Sequence, residues 1–95
     1  MKPIWDRRKK IDGIDAKLVS LLNRRTRLAI EIGEFKRRNR LGAVSLSRER
    51  EILRRVRERN SGPLDPRAMT RLFRAILAES RRAAAAHAVR GKSRR

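Results

Sequence analysis

The chain has 95 residues and no cysteine, and its 28 lysines and arginines against 10 acidic residues give a formal charge of +18. That length fits one small domain, which buries only about 60–65% of its unfolded surface, and the lack of cysteine excludes disulfides and thiolate metal sites. A lone histidine, His87, makes a poor metal site; no run approaches the roughly 18 apolar residues of a membrane span, and MKPIWDRRKK carries no signal-peptide core. The expectation is a cytoplasmic protein without metal, cofactor or membrane segment.

The first element is a long amphipathic helix. Residues 8–36, RKKIDGIDAKLVSLLNRRTRLAIEIGEFK, place Ile11, Ile14, Leu18, Leu21, Leu28, Ile32 and Phe35 at alternating steps of three and four. The open step in that seam is filled by Arg25. A cation there costs several kcal/mol unless it is paired, so Arg25 must either snorkel to water or meet an anion. The helix is predicted from about residue 5 to residue 40, where Asn39 and Gly42 mark a stop, a length of roughly 50 Å. A helix that long in so small a chain cannot cover its own stripe, which points to self-association.

Residues 41–47 read as a loop, with Ser45 or Ser47 available to cap the next helix. Helix two is predicted over about 47–59 with Ile52, Leu53 and Val56 inward, and Asn60-Ser61-Gly62-Pro63 breaks it. Asp65-Pro66 sets a cap acceptor before a first-turn proline. Helix three then carries Met69, Leu72, Phe73, Ile76 and Leu77 on one face, passes through Ser80 into an alanine run at 83–86, and is expected to fray after His87. No strand or repeat is visible. The organisation expected is all-α, with a short extension at 1–4, a helical domain over 5–88 and a basic, disordered tail at 89–95.

One polar residue interrupts each apolar face. Arg25 sits in the seam of helix one; Glu49 precedes Ile52, Leu53 and Val56 by three, four and seven residues; Ser80 follows Ile76 by four. Singly each has an ordinary structural explanation: snorkelling, a first-turn acid favoured by the helix dipole, and a small packing residue bonded to its own backbone. Together, on the inward faces of three packed helices, they point to a polar pocket inside a bundle. Lys36 lies eleven residues after Arg25, about 20° round the helix and roughly 16 Å along it, so both cations can address one small ligand. Arg8 lies seventeen residues before Arg25, roughly 25 Å away, and can share that pocket only from a second copy of the chain.

The excess of positive charge raises nucleic acid as a partner. Against it, the aromatic residues are only Trp5, Phe35 and Phe73, which is no stacking platform. The cations are also spread along the whole chain, with local enrichment at 7–10, 37–40 and 90–95. Nucleic acid is therefore disfavoured, and it leaves the inward Arg25, Glu49 and Ser80 unexplained.

Several motifs carry a resemblance: Arg8-x-x-Ile11-Asp12-x-Ile14-Asp15-x-Lys17-Leu18, Leu21-Leu22-Asn23-Arg24-Arg25, Ile32-Gly33-x-x-Lys36, Arg48-Glu49, Leu72-Phe73 and Glu79-Ser80. Over about residues 5–88 the chain resembles the all-helical bacterial chorismate mutases that form an intertwined homodimer of three-helix chains. The resemblance implies an isomerase of the shikimate pathway, in aromatic amino acid biosynthesis, that converts chorismate to prephenate by a Claisen rearrangement without cofactor. It also implies that Arg25, and Arg8 from the partner subunit, bind carboxylates. Lys36 would reach the ether oxygen, Arg48 would support the carboxylate cluster, Glu49 would accept from the ring hydroxyl, and Ser80 would contact the ring-carboxylate end.

Two positions depart from the family pattern. Ser45 stands where an aspartate is common, and its contact can come from backbone. Ala84 stands where the family places a glutamine or glutamate that donates to the ether oxygen, and the chain contains no glutamine. Losing such a donor typically costs about 10²–10³ in rate, so weak activity is expected unless another group, with His87 one turn on as a candidate, fills the gap. Alternatives consistent with the same residues are an impaired homologue that binds a dianion or regulates a partner enzyme, and a lyase acting on isochorismate.

Overall fold

The computed structural model describes residues 2–42 and 44–93. They form three helices, α1 (Lys2–Arg38), α2 (Leu46–Arg59) and α3 (Pro66–Ser93), with no strand among the described residues. Met1, Ala43, Arg94 and Arg95, from the expected extension, loop and tail, lie outside them. Helix α1 starts three residues earlier than the periodicity suggests, because Pro3 falls in the first turn, where its missing N–H breaks no hydrogen bond. Helix α3 runs on to Ser93, past the expected end near His87. The alanines at 83–86 and Ala88 are the strongest helix formers and no proline follows them.

Local chemistry sets the other helix ends. At the end of α1 the Leu41 N–H donates to the Lys36 carbonyl at 2.7 Å and the Arg40 N–H to the Arg37 carbonyl at 3.2 Å. This is the Schellman arrangement, and Arg40 takes the left-handed conformation it requires, with φ 54°. The stop is thus made at Arg40, two residues before the glycine that announces it in sequence. Ser45 caps α2, its Oγ accepting from the Arg48 N–H at 3.2 Å. Between α2 and α3, Asn60 accepts from the Gly62 N–H at 3.0 Å and donates to the Leu64 carbonyl at 2.7 Å, while Gly62 has φ 86°. Asp65 caps α3, its Oδ1 accepting from the Ala68 N–H at 2.8 Å.

Helix α3, last in the chain, lies between the other two. It packs against both α1 and α2, which do not meet each other among the described residues. Arg25 and then Glu34 on α1 meet Ser80 and then His87 on α3, so these two helices run in the same direction. They come close where Gly33 faces Ala84: a Cβ on Gly33 would lie 3.4 Å from that of Ala84. The result is elongated and flat, 58 × 30 × 14 Å with a radius of gyration of 17.0 Å, against about 12 Å for a compact globule of this length. Among the described residues only Leu77 is a buried apolar side chain, at 6% exposure. The α1 seam predicted to face a core, Ile11, Ile14, Leu18, Leu21, Leu28, Ile32 and Phe35, is exposed along its whole length. Within the one chain α2 and α3 leave this seam uncovered.

Two substitutions at the helix ends should move stability in opposite directions. Asp65→Ala removes the cap of α3 and should lower the free energy of unfolding by about 1 kcal/mol. Arg40→Gly relieves the left-handed residue and should raise it by about 0.5–1 kcal/mol. Urea unfolding followed by circular dichroism at one protein concentration measures both.

Candidate functional site

The inward polar residues of the three helices converge on two successive residues of α3. Ser80, 7% exposed, accepts a hydrogen bond at 3.0 Å from Nη1 of Arg25 on α1. Arg81, the next residue, donates through Nη1 to Oε2 of Glu49 on α2. Arg25 is half-buried, and among the described residues no carboxylate reaches it. It therefore neither snorkels freely nor finds an internal counter-ion. A guanidinium presents five donors, and Ser80 engages only one of its nitrogens, so the rest stay available to an anion.

Glu49 is pulled inward by the amphipathic pattern of α2, with its side chain 23% exposed. It opens onto a groove of about 430 Å³ between α2 and α3, floored by Leu46, Leu53 and Leu77, with Glu49, Arg50, Arg74 and Arg81 around them. Three guanidinium groups around one carboxylate make this groove a cationic one with an apolar floor. Such a lining suits a small ligand that carries carboxylates on a hydrocarbon ring.

The remaining expected residues are placed less completely. Lys36 is half-buried on α1, three residues beyond the Gly33 contact with Ala84, and its side chain makes no ion pair among the described residues. Ala84 is half-buried against α1 and offers no polar atom. His87 is occupied: its Nε2 lies 2.5 Å from Oε1 of Glu34 on α1. Arg48 is turned along its own helix to Glu51, 3.3 Å away, and Ser45 spends its hydroxyl on the α2 cap. Arg8 lies on the exposed N-terminal part of α1, its guanidinium 5.7 Å from the ring centre of Trp5, and it is not brought to the other site residues within one chain.

Arg81 and Glu34 are the charged partners on a different helix that the pattern of polar residues did not single out. The signal for Arg81 lies in the spacing, since it follows Leu77 by four and so shares the inward face with Ser80. For Glu34 there is no comparable signal, because its partner lies 53 residues away on a helix whose register sequence alone does not set.

The profile of the chorismate mutase type II family matches residues 7–85. The chain is 44% identical over 73 residues to the bifunctional chorismate mutase/prephenate dehydratase of Neisseria gonorrhoeae, covering 76% of this chain and 19% of that protein. Against the enzyme of the same name from Escherichia coli K12 the identity is 35% over 79 residues, covering 82% and 20%. The chain thus spans about a fifth of the length of these curated relatives. Its fold matches the structure of chorismate mutase from Thermus thermophilus with a TM-score of 0.79 at 31% identity, covering 81% of this chain and 88% of that one. The three-helix architecture and the matched span from residue 7 to residue 85 show that the chain belongs to the chorismate mutase type II family.

Proposed function

We propose that this chain is a cytoplasmic chorismate mutase of aromatic amino acid biosynthesis, working as a homodimer in which α1 of each chain completes the site of the other. The observation that carries the reading is Arg25, a half-buried guanidinium bonded to Ser80 and reached by no carboxylate among the described residues. The exposed apolar seam of α1 supports the dimer, because a second chain is the simplest cover for a stripe that runs the length of a 37-residue helix. In that arrangement the partner's α1 carries Arg8 into the pocket that contains Arg25.

The reaction breaks one carbon–oxygen bond and forms one carbon–carbon bond within a single molecule, so it needs no nucleophile, metal or external base. What it needs is a compact conformer and stabilisation of the charge that grows on the ether oxygen. Arg25 and Arg8 would clamp the two carboxylates and hold the reacting ends together. Lys36 would donate to the ether oxygen, Glu49 would accept from the ring hydroxyl, and Ser80 would fix both Arg25 and the ring-carboxylate end. Arg48 would join the carboxylate cluster after leaving Glu51, and the backbone near Ser45 would line the pocket. A partner enzyme that consumes the product fits the company the domain keeps in its longer relatives, and chorismate is favoured over isochorismate on the same ground.

Ala84 favours a second reading, a slow or silent mutase whose dianion site serves regulation. The donor opposite Lys36 is missing there, and His87 is paired with Glu34 rather than turned to the pocket. The two readings separate in one assay, with chorismate consumption followed and the product identified. Measurable conversion to prephenate by the wild type is expected, and Ala84→Gln should raise kcat by about tenfold or more. No turnover by either protein would contradict the enzyme reading, and pyruvate with an aromatic acid as products would make it a lyase. Arg25→Met should lower kcat/KM by about a hundredfold or more. The same change should leave the free energy of unfolding unchanged or raise it by about 1 kcal/mol, because the cation's desolvation is uncompensated without ligand. A marked loss of stability in that variant would show that Arg25 serves packing.

A further inference from the structure

Arg81 lies outside the set of residues that the family resemblance implies, yet it is the partner that Glu49 has in this chain. Glu49 faces inward on α2 with most of its side chain covered, and a covered carboxylate is costly unless it is paired and hydrogen-bonded. Among the described residues Arg81 alone makes that pair. Arg48, one residue before Glu49, is drawn to Glu51, and Arg50 and Arg74, which line the same groove, make no ion pair among the described residues. The contact is one-sided: Arg81 donates to Oε2, and among the described residues no side chain donates to Oε1 of Glu49. One oxygen is thus anchored and the other is free to accept.

We propose that Arg81 is a positioning residue for Glu49, holding its carboxylate against α3 and offsetting its charge so that a substrate carrying two carboxylates can bind beside it. The inference rests on the mutase reading above. A bare carboxylate facing a dianion in a partly desolvated pocket repels it, and that repulsion grows as water is excluded. A guanidinium on the far oxygen removes most of this penalty and leaves the near oxygen directed at the ring hydroxyl. Ser80 does the same for Arg25 from the adjacent position on α3, so two neighbouring residues set the charged groups that arrive from α1 and α2. Because the charge is supplied by a neighbour rather than by the substrate, the chain can keep an acceptor for the hydroxyl inside a site built for anions.

The test is a double-mutant cycle on kcat, KM and chorismate binding with wild type, Arg81→Met, Glu49→Gln and the double variant, together with Arg81→Lys and the thermal midpoint of each. Arg81→Met should raise KM and the chorismate Kd by about tenfold and lower kcat less. In the Glu49→Gln background the same change should alter them by less than about twofold, because the charge it offsets is gone. Arg81→Lys should bring kcat/KM back to within about fivefold of wild type. Equal losses from Arg81→Met in both backgrounds, or no loss in either, overturn the proposal while leaving the mutase reading intact. Should the wild type bind chorismate without converting it, the mutase reading falls and the cycle is read on Kd with the same expectations. A wild type that neither converts nor binds chorismate overturns both.

Discussion

A guanidinium in an apolar seam is the constraint from which the rest of this structure follows. Arg25 occupies a step of α1 that the helical pattern assigns to a core residue, and among the described residues its side chain is met by one hydroxyl, that of Ser80 at 3.0 Å. A hydrogen bond from a charged donor contributes about 1.5–3 kcal/mol, which only partly offsets the several kcal/mol that an unpaired cation costs on burial. The imbalance leaves a site whose missing term is an anion. Strain of this kind is kept in proteins where function uses it.

Helix α3 converts that local imbalance into a site. It is the one element that touches both others, and Leu77, Ser80 and Arg81 share a single face of it. Leu77 supplies the only buried apolar side chain among the described residues, Ser80 fixes Arg25, and Arg81 reaches Glu49. One turn further on, Ala84 against Gly33 lets α1 and α3 approach closely but presents no donor. In the proposed site the anion-holding half is therefore well furnished, and the half that would stabilise charge on a breaking ether bond would rest, among the described residues, on Lys36. In the proposed dimer the long apolar seam of α1 would be covered by the second chain, and the +18 charge of each chain would be divided between the pockets and the solvated outer faces of the helices.

Much of this was legible from residue spacing. The three helices, the cap at Asp65, the break at residues 60–63 and the inward set of Arg25, Glu49 and Ser80 follow from period and turn chemistry, which are local properties. The ends were less so: α1 closes at Arg40 in a left-handed conformation that favours glycine, and α3 continues through residues that read as a tail, because helix propensity there outweighs polarity. Arg81 was hidden by its type, since an arginine on a chain so rich in them reads as solvated surface, although its spacing from Leu77 is that of a core-facing residue. The engagement of His87 by Glu34 depends on the relative register of α1 and α3, which no local pattern specifies. Arg8 marks the limit of a single chain: its separation from Arg25 along one helix is readable, and its destination is a matter of assembly.

The central claim is that the cationic pocket is assembled from two chains. Mixing Arg8→Ala chains with Arg25→Ala chains under conditions of subunit exchange tests it directly. Each heterodimer then holds one pocket with both arginines and one with neither, so two nearly inactive proteins should together regain about a quarter of wild-type activity at statistical mixing. Activity that stays at the level of the separate variants, with heterodimers demonstrated by mass spectrometry, would contradict the account.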